Sequence, residues 1–231
     1  MYTTEDKRSS PLSDVAGNKI IRYIVDNKLS PGDKLPTEQQ LVDYLEVSRS
    51  TVREAVRRLV ARNILCVRQG SGIFVAEEMG IPEDPLGFEL LQDSHGLALE
   101  IIDARLILEP EIAALAAINI RPEQLAELEK CHAALCKAID QGMDFTVYDA
   151  EFHRLLAVFS GNRALAKLIL AISYSVEEVV QGTNNALSDQ TAEHHKNILQ
   201  AVTRHDAAGA KNMMIVHLSM NRESILKNIS K

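Results

Sequence analysis

From residue 97 to residue 228 apolar residues return at helical spacing with little interruption, and that persistence limits the fold more than any other feature of the sequence. Helices are expected over 97–119, 122–141, 143–160, 163–181, 191–205 and 207–228, with a short extra segment over 85–91. The breaks fall where helices stop readily: Arg121-Pro122, Gln141-Gly142, Gly161-Asn162, the stretch from Gly182 to Ser188, and Asp206. Six to seven helices joined by short loops imply an antiparallel-capable bundle. Aromatic residues make up 4% of the chain and Trp is absent, so the side chains that strands favour are scarce.

The first 76 residues read differently. A helix is expected over 15–28, with Ile20, Ile21, Ile24 and Val25 on one face behind a start signal at Ser13-Asp14 and a stop at Pro31-Gly32-Asp33. Thr37 and Gln40 stand at capping-box spacing before a short helix that carries Leu41, Val42 and Leu45 inward. A few residues around Val47-Ser48 separate it from a third helix over 49–62, with Val52, Ala55, Val56, Leu59 and Val60 at core spacing. Two helices joined so tightly resemble a helix-turn-helix. Two β-prone runs, 64–68 and 73–76, then flank Gln69-Gly70-Ser71-Gly72, a hairpin signal. The expected fold class is mainly α: a winged helix-turn-helix domain over 1–76, a linker over 77–84 with Gly80, Pro82 and four acids, and an all-helical bundle over 85–231.

The net charge of −7 argues against a polyanionic partner only if it is spread evenly, and it is not. Residues 1–75 hold 12 Lys and Arg against 9 Asp and Glu, whereas residues 76–231 hold 13 against 23. The basic excess gathers between Leu45 and Val75, where six arginines (49, 53, 57, 58, 62 and 68) face two acids. Arg49, Arg53 and Arg57 advance by about 40° per step and form a stripe on one helix. Recognition helices reach base edges with their N-terminal residues, and an arginine fork fits guanine or phosphate. Arg49, Ser50 and Arg53 are therefore candidate base readers, with Thr51 and Arg57 beside them. Gln69 and Gly70 at the wing turn suit a close approach to the DNA backbone and minor groove. An isolated charge run is more often a solvated face; the short helix, tight turn and wing together favour double-stranded DNA.

Cys66, Cys131 and Cys136 are odd in number and form no C-x-x-C pair, so buried free thiols in a reducing compartment are expected. No apolar run reaches the length of a membrane span, and the N-terminus lacks an apolar signal core, so a soluble, cytoplasmic protein with no membrane partner is expected.

All seven histidines lie after residue 76. Asp149 and His153 share one helical face at i, i+4, and His195 and His217 fall inside amphipathic helices. If those helices face the interior, one carboxylate and three imidazoles can converge, a donor set suited to a divalent Zn, Ni or Mn ion. A lone histidine is more often a packed residue than a ligand, and spacing leaves both readings open.

The segments Pro31-Gly32-Asp33-Lys34-Leu35-Pro36-Thr37-Glu38, Val47-Ser48-Arg49-Ser50-Thr51-Val52-Arg53-Glu54-Ala55 and Gly70-Ser71-Gly72-Ile73-Phe74-Val75 resemble the DNA-binding domain of GntR-family transcription regulators. Members carry Arg or His where this chain has Gln39 and Gln69, which the resemblance implies as further DNA contacts. Asp149-Ala150-Glu151-Phe152-His153-Arg154-Leu155-Leu156, Ser160-Gly161-Asn162, the His195 to Val202 segment and Val216-His217-Leu218 resemble the FCD-type effector domain of the FadR-like subfamily. That resemblance implies Asp149, His153, His195 and His217 as metal ligands, with His194 one residue out of register and His95, His132 and His205 outside the set. It also implies that Arg105 pairs with the carboxylate of a small effector, against the alternative of a salt bridge to Asp103 or Glu109. Asn162 either bonds the effector or caps a helix. The function implied is a homodimeric regulator, most often a repressor, of a pseudo-palindromic operator. A metal-dependent enzyme acting on a small carboxylate and a regulator with a purely structural metal are the alternatives.

Overall fold

The computed structural model describes residues 11–77, 80, 86–87, 94–180 and 188–229. The chain forms two compact units that divide between residues 82 and 83.

The first unit contains α1 (Leu12–Asp26), α2 (Glu38–Leu45), α3 (Arg49–Ala61), β1 (Leu65–Arg68) and β2 (Gly72–Val75). α1 begins earlier than the sequence suggests: Pro11 holds the N-cap position without a side-chain cap, and Asp14 pairs with Arg58 on α3 instead of capping. The expected capping box of α2 forms, with Gln40 Oε1 accepting from Thr37 N at 2.9 Å and Thr37 Oγ1 accepting from Gln40 N. Glu46 then takes a left-handed φ of +55°, and Ser48 caps α3 by accepting from Thr51 N at 3.2 Å. Ile20, Ile24, Leu41, Leu45, Val52, Leu59 and Leu65 close the core. Val25 and Val60, expected on the apolar faces, are exposed. Each follows a buried residue by one position, which rotates it about 100° away from the core.

The wing pairs β1 with β2 from Leu65↔Val75 to Arg68↔Gly72. Its turn is one residue shorter than expected, because Gly72 belongs to β2. Ser71 N–H donates to Arg68 O at 2.9 Å with Gly70 at φ +72°, a type II turn whose third residue needs the left-handed region. A feature absent from the sequence expectations is a third rung beside β2. Gly32 N donates to Val75 O at 3.0 Å, Leu35 N to Ile73 O at 2.8 Å, and Val75 N to Asp33 O at 2.9 Å. Residues 32–35 thereby cover backbone groups that the edge of β2 would otherwise leave open.

The second unit contains α4 (Ser94–Asn119), α5 (Pro122–Asp140), α6 (Thr146–Phe159), α7 (Arg163–Val180), α8 (Ser188–Thr203) and α9 (Ala207–Ile229). The expected helix over 85–91 and the break after Gly182 fall mostly outside the described residues, and neither residue 86 nor residue 87 is helical. α4 runs through Pro110, although proline supplies no N–H to the helical ladder. Packing along α9 holds it, with Ile112, Ala113, Ala116 and Ala117 buried. Phe152, Leu128, Leu156, Ile198, Val202 and Leu218 complete the interior. Asp206 Oδ1 accepts from Gly209 N at 2.8 Å and so supports the first turn of α9. Of the three thiols only Cys131 is buried, and Cys66 and Cys136 are half-buried, which corrects the expectation for those two. Burial pushes the Cys131 thiol up to about 12. Among the described residues no helix is long and apolar enough to cross a membrane.

Leu41 is fully buried where α2 meets the rest of the first core. Leu41→Ala is expected to destabilise that unit by about 2–5 kcal/mol, read as a lower denaturant midpoint with an unchanged slope.

Candidate metal centre and recognition helix

Asp149 and His153 on α6, His195 on α8 and His217 on α9 meet inside the second unit, with one ligand atom from each lying within 4.8 Å of all the others. His153 Nε2 stands 3.2 Å from His217 Nε2, His195 Nε2 stands 3.4 Å from His217 Nε2, and His195 Nε2 stands 3.2 Å from Asp149 Oδ1. Donors about 2.1 Å from one ion at tetrahedral or octahedral angles are themselves about 3.0–3.4 Å apart. The spacing and the donor types thus fit a divalent cation. The Nδ1 atoms of His195 and His217, across each ring from the Nε2 atoms of the cluster, are buried with no hydrogen-bond partner among the described residues.

The surroundings hold these groups in a ligating form. Burial pushes His195 down to about 4, against the opposing pull of Asp149. Burial and the two neighbouring imidazoles drive His217 well below the ordinary histidine value. Burial would raise Asp149, but the hydrogen bond from His195 and the nearby imidazoles outweigh it and hold the carboxyl well below its usual range. Phe152 stacks on the His195 ring at 4.1 Å between centroids and 15° between planes, which restricts its rotation.

Two residues extend the cluster beyond the expected four. Glu109, only 2% exposed, accepts from His153 Nδ1–H through Oε2 and from Arg105 Nε through Oε1. Burial would raise its pKa, but Arg105 and His153 hold it down to about 2. Asn221 Nδ2 lies 3.3 Å from His217 Nε2. The sequence signal for Glu109 was its i, i+4 relation to Arg105; nothing in the sequence tied it to His153, 44 residues away. Arg105 is therefore paired with Glu109, while Asp103 pairs with Arg222 at 2.6 Å. Its guanidinium still feels Asp149 and lowers His217, so its charge acts at the cluster. Asn162 Oδ1 accepts from Ala164 N at 3.0 Å and Leu165 N at 3.2 Å, which makes it the cap of α7. His132 meets Ala192 O at 3.1 Å and His205 meets Ala117 O at 2.7 Å, and neither belongs to the four-donor set.

In the first unit, α2 and α3 organise the candidate DNA contacts. Arg49 Nη2 donates to Gln39 Oε1 at 2.7 Å, and Gln39 Nε2 donates to Asp43 Oδ1 at 3.1 Å. Arg53 Nε donates to Glu38 Oε2 at 2.9 Å. The hydroxyls of Ser50 and Thr51 each lie 2.8 Å from Ser48 Oγ at the helix cap. Arg57 is exposed on the same helix, and Gln69 and Gly70 form the exposed wing turn.

Residues 12–75 match the family described as bacterial regulatory proteins, gntR family, and residues 100–220 match the FCD domain. The chain belongs to the GntR family of transcription regulators. This regulator is 33% identical over 214 residues to the HTH-type transcriptional regulator LutR of Bacillus subtilis (strain 168), covering 88% of this chain and 95% of the relative. It is 25% identical over 225 residues to the HTH-type transcriptional repressor NanR of Edwardsiella tarda (strain FL6-60), covering 90% and 83%. A solved structure of Streptococcus agalactiae GntR aligns with a TM-score of 0.81 and 36% identity over 91% of this chain and 99% of the other. These relatives are transcription regulators, not enzymes, and GntR-family regulators bind operator DNA.

Glu38 on α2 is paired with Arg53, a candidate base reader on α3. Exposed pairs of this kind are worth about 0.2–1 kcal/mol. Glu38→Gln is therefore expected to tighten DNA binding by about 1.5–5-fold at low salt, and the gain should fade as salt rises in a fluorescence-anisotropy titration.

Proposed function

We propose that this GntR-family chain is a homodimeric cytoplasmic repressor whose operator affinity responds to a small carboxylate effector taken up beside a divalent cation. The convergence of Asp149, His153, His195 and His217 carries the reading. These four residues would hold the ion, with Zn, Ni and Mn all compatible with one carboxylate and three imidazoles. The bound ion would supply a Lewis-acidic centre with positions open to an oxygen anion. Arg105 supplies a second positive group, with Nε on Glu109 and a charge that reaches Asp149. A carboxylate suits such a pair of charges because an arginine fork binds it in two places. Asn162 contributes to the effector only through its amide nitrogen, since its Oδ1 is committed to α7.

On the DNA side, Arg49 and Arg53 read base edges from the start of α3, Ser50, Thr51 and Arg57 flank them, Gln39 lies behind Arg49, and Gln69 and Gly70 approach the minor groove. The repressor assignment is supported by a relative that bears that name, NanR of Edwardsiella tarda. A dimer matches two half-sites of a pseudo-palindrome. The effector acts only through unequal affinity for the operator-competent and operator-released arrangements.

Two measurements test this reading. Gel shift at a stated salt concentration should show Arg49→Ala plus Arg53→Ala losing at least about tenfold in operator affinity, since each bidentate base contact is worth about 1–3 kcal/mol; unchanged affinity overturns the DNA assignment. Thermal-shift screening of zinc-loaded protein against hydroxy acids, sugar acids and dicarboxylates should give a hit whose stabilisation disappears after chelation and whose addition alters the gel shift. Chelation that lowers the melting temperature while leaving carboxylate and operator binding unchanged would instead assign the ion a structural role.

A further inference from the structure

We propose that Glu109 is the positioning residue of the four-donor cluster: it fixes which nitrogen of His153 carries the proton, and it ties that imidazole to Arg105. The inference rests on the cation-holding reading above. A neutral imidazole has one N–H and one lone pair, and only the lone-pair nitrogen can ligate. Which nitrogen that is depends on the hydrogen bond made by the other. Glu109 has no proton to give while it is paired with Arg105, so Oε2 must accept, and Nδ1 of His153 must donate. The proton is thereby held at Nδ1, and Nε2 presents its lone pair toward His217 Nε2 at 3.2 Å.

Burial makes this arrangement decisive. Glu109 and His153 are each 2% exposed, so water does not compete for either carboxylate oxygen. The Nδ1 atoms of His195 and His217 have no such partner among the described residues. Among the described residues His153 is thus the imidazole of the three whose Nδ1 meets a carboxylate, whereas the carboxylate contact of His195, to Asp149, is made through Nε2. Glu109 lies on α4 and His153 on α6, so the contact also fixes the depth of α6 against α4. Arg105, one turn before Glu109, offsets the buried negative charge and is itself oriented through Nε. One carboxylate therefore orients both an imidazole that would ligate the ion and the guanidinium that would meet an anion.

The test uses the full chain, with histidines labelled with ¹⁵N and metal removed by chelation. A long-range ¹H–¹⁵N spectrum reports the protonated nitrogen of His153, assigned by its loss in His153→Gln. Zinc affinity is measured in parallel by competition with a chromophoric chelator. Wild type should show the proton on Nδ1. Glu109→Met should move it to Nε2 and weaken zinc by about 10–100-fold. Glu109→Gln, which keeps an accepting oxygen, should preserve the tautomer and lose less zinc affinity. If Glu109→Met does not fold, the double variant Arg105→Met plus Glu109→Met removes both buried charges and gives the same readouts. A proton on Nε2 in wild type overturns the proposal, as does zinc affinity unchanged by Glu109→Met. Wild type that takes up no zinc overturns the cation-holding reading, and the positioning role with it. Normal uptake in both proteins overturns the positioning role alone.

Discussion

Three buried imidazoles and a partly exposed carboxylate gathered by a helical bundle are the constraint on which the second unit depends. Polar groups removed from water are tolerable only when they find partners, and each one left alone costs about 1–3 kcal/mol. α6, α8 and α9 therefore cannot slide past one another freely, because a shift of one turn would separate Asp149 and His153 from His195 and His217. α4 enters the same constraint through Glu109, whose two oxygens engage Arg105 on its own helix and His153 on α6. The apolar residues around the cluster, Phe152 above all, exclude water and so strengthen every interaction inside it.

The first unit solves the opposite problem, since its functional groups must stay in water and still be ordered. α2 does this with short polar contacts. Gln39, itself held by Asp43, receives Arg49, and Glu38 receives Arg53. Exposed pairs of this kind add little to stability, and they tether the two long side chains to α2. The net charge of −7 conceals this arrangement, because the acidic excess belongs to residues 76–231 and the arginines belong to α3 and the wing. The local field near a docking surface, and not the average, decides which partners it attracts.

Local physics made much of this legible in the residues alone. The capping box at Thr37 and Gln40, the tight passage between α2 and α3, and the six helices from α4 to α9 follow from spacing and cap chemistry. Asp149 and His153 share a face because four residues make just over one helical turn. Their membership in a metal set came from family resemblance and not from periodicity. Errors arose at the margins of periodic faces. Val25 and Val60 look apolar in the pattern, yet each sits one position beyond the buried stripe and is exposed. Residues 32–35 carry no strand pattern, and they pair because the edge of β2 is available to them.

By itself the sequence determined which stretches become the main helices to within a few residues, where the arginines gather, and which residue types could ligate or read DNA, because these depend on neighbours a few positions away. Tertiary structure alone decided that Glu109 faces His153 across 44 residues and that His217 reaches His153 across 64. It also chose between the two acids that local spacing offered Arg105, keeping Glu109 for Arg105 and turning Asp103 to Arg222. Those choices depend on the angle and depth at which helices pack, which no local spacing encodes. Asn162 shows the boundary between the two. Its sequence fits a cap or a ligand contact equally, and the placement of Ala164 and Leu165 N–H groups over its Oδ1 assigns that oxygen to the cap.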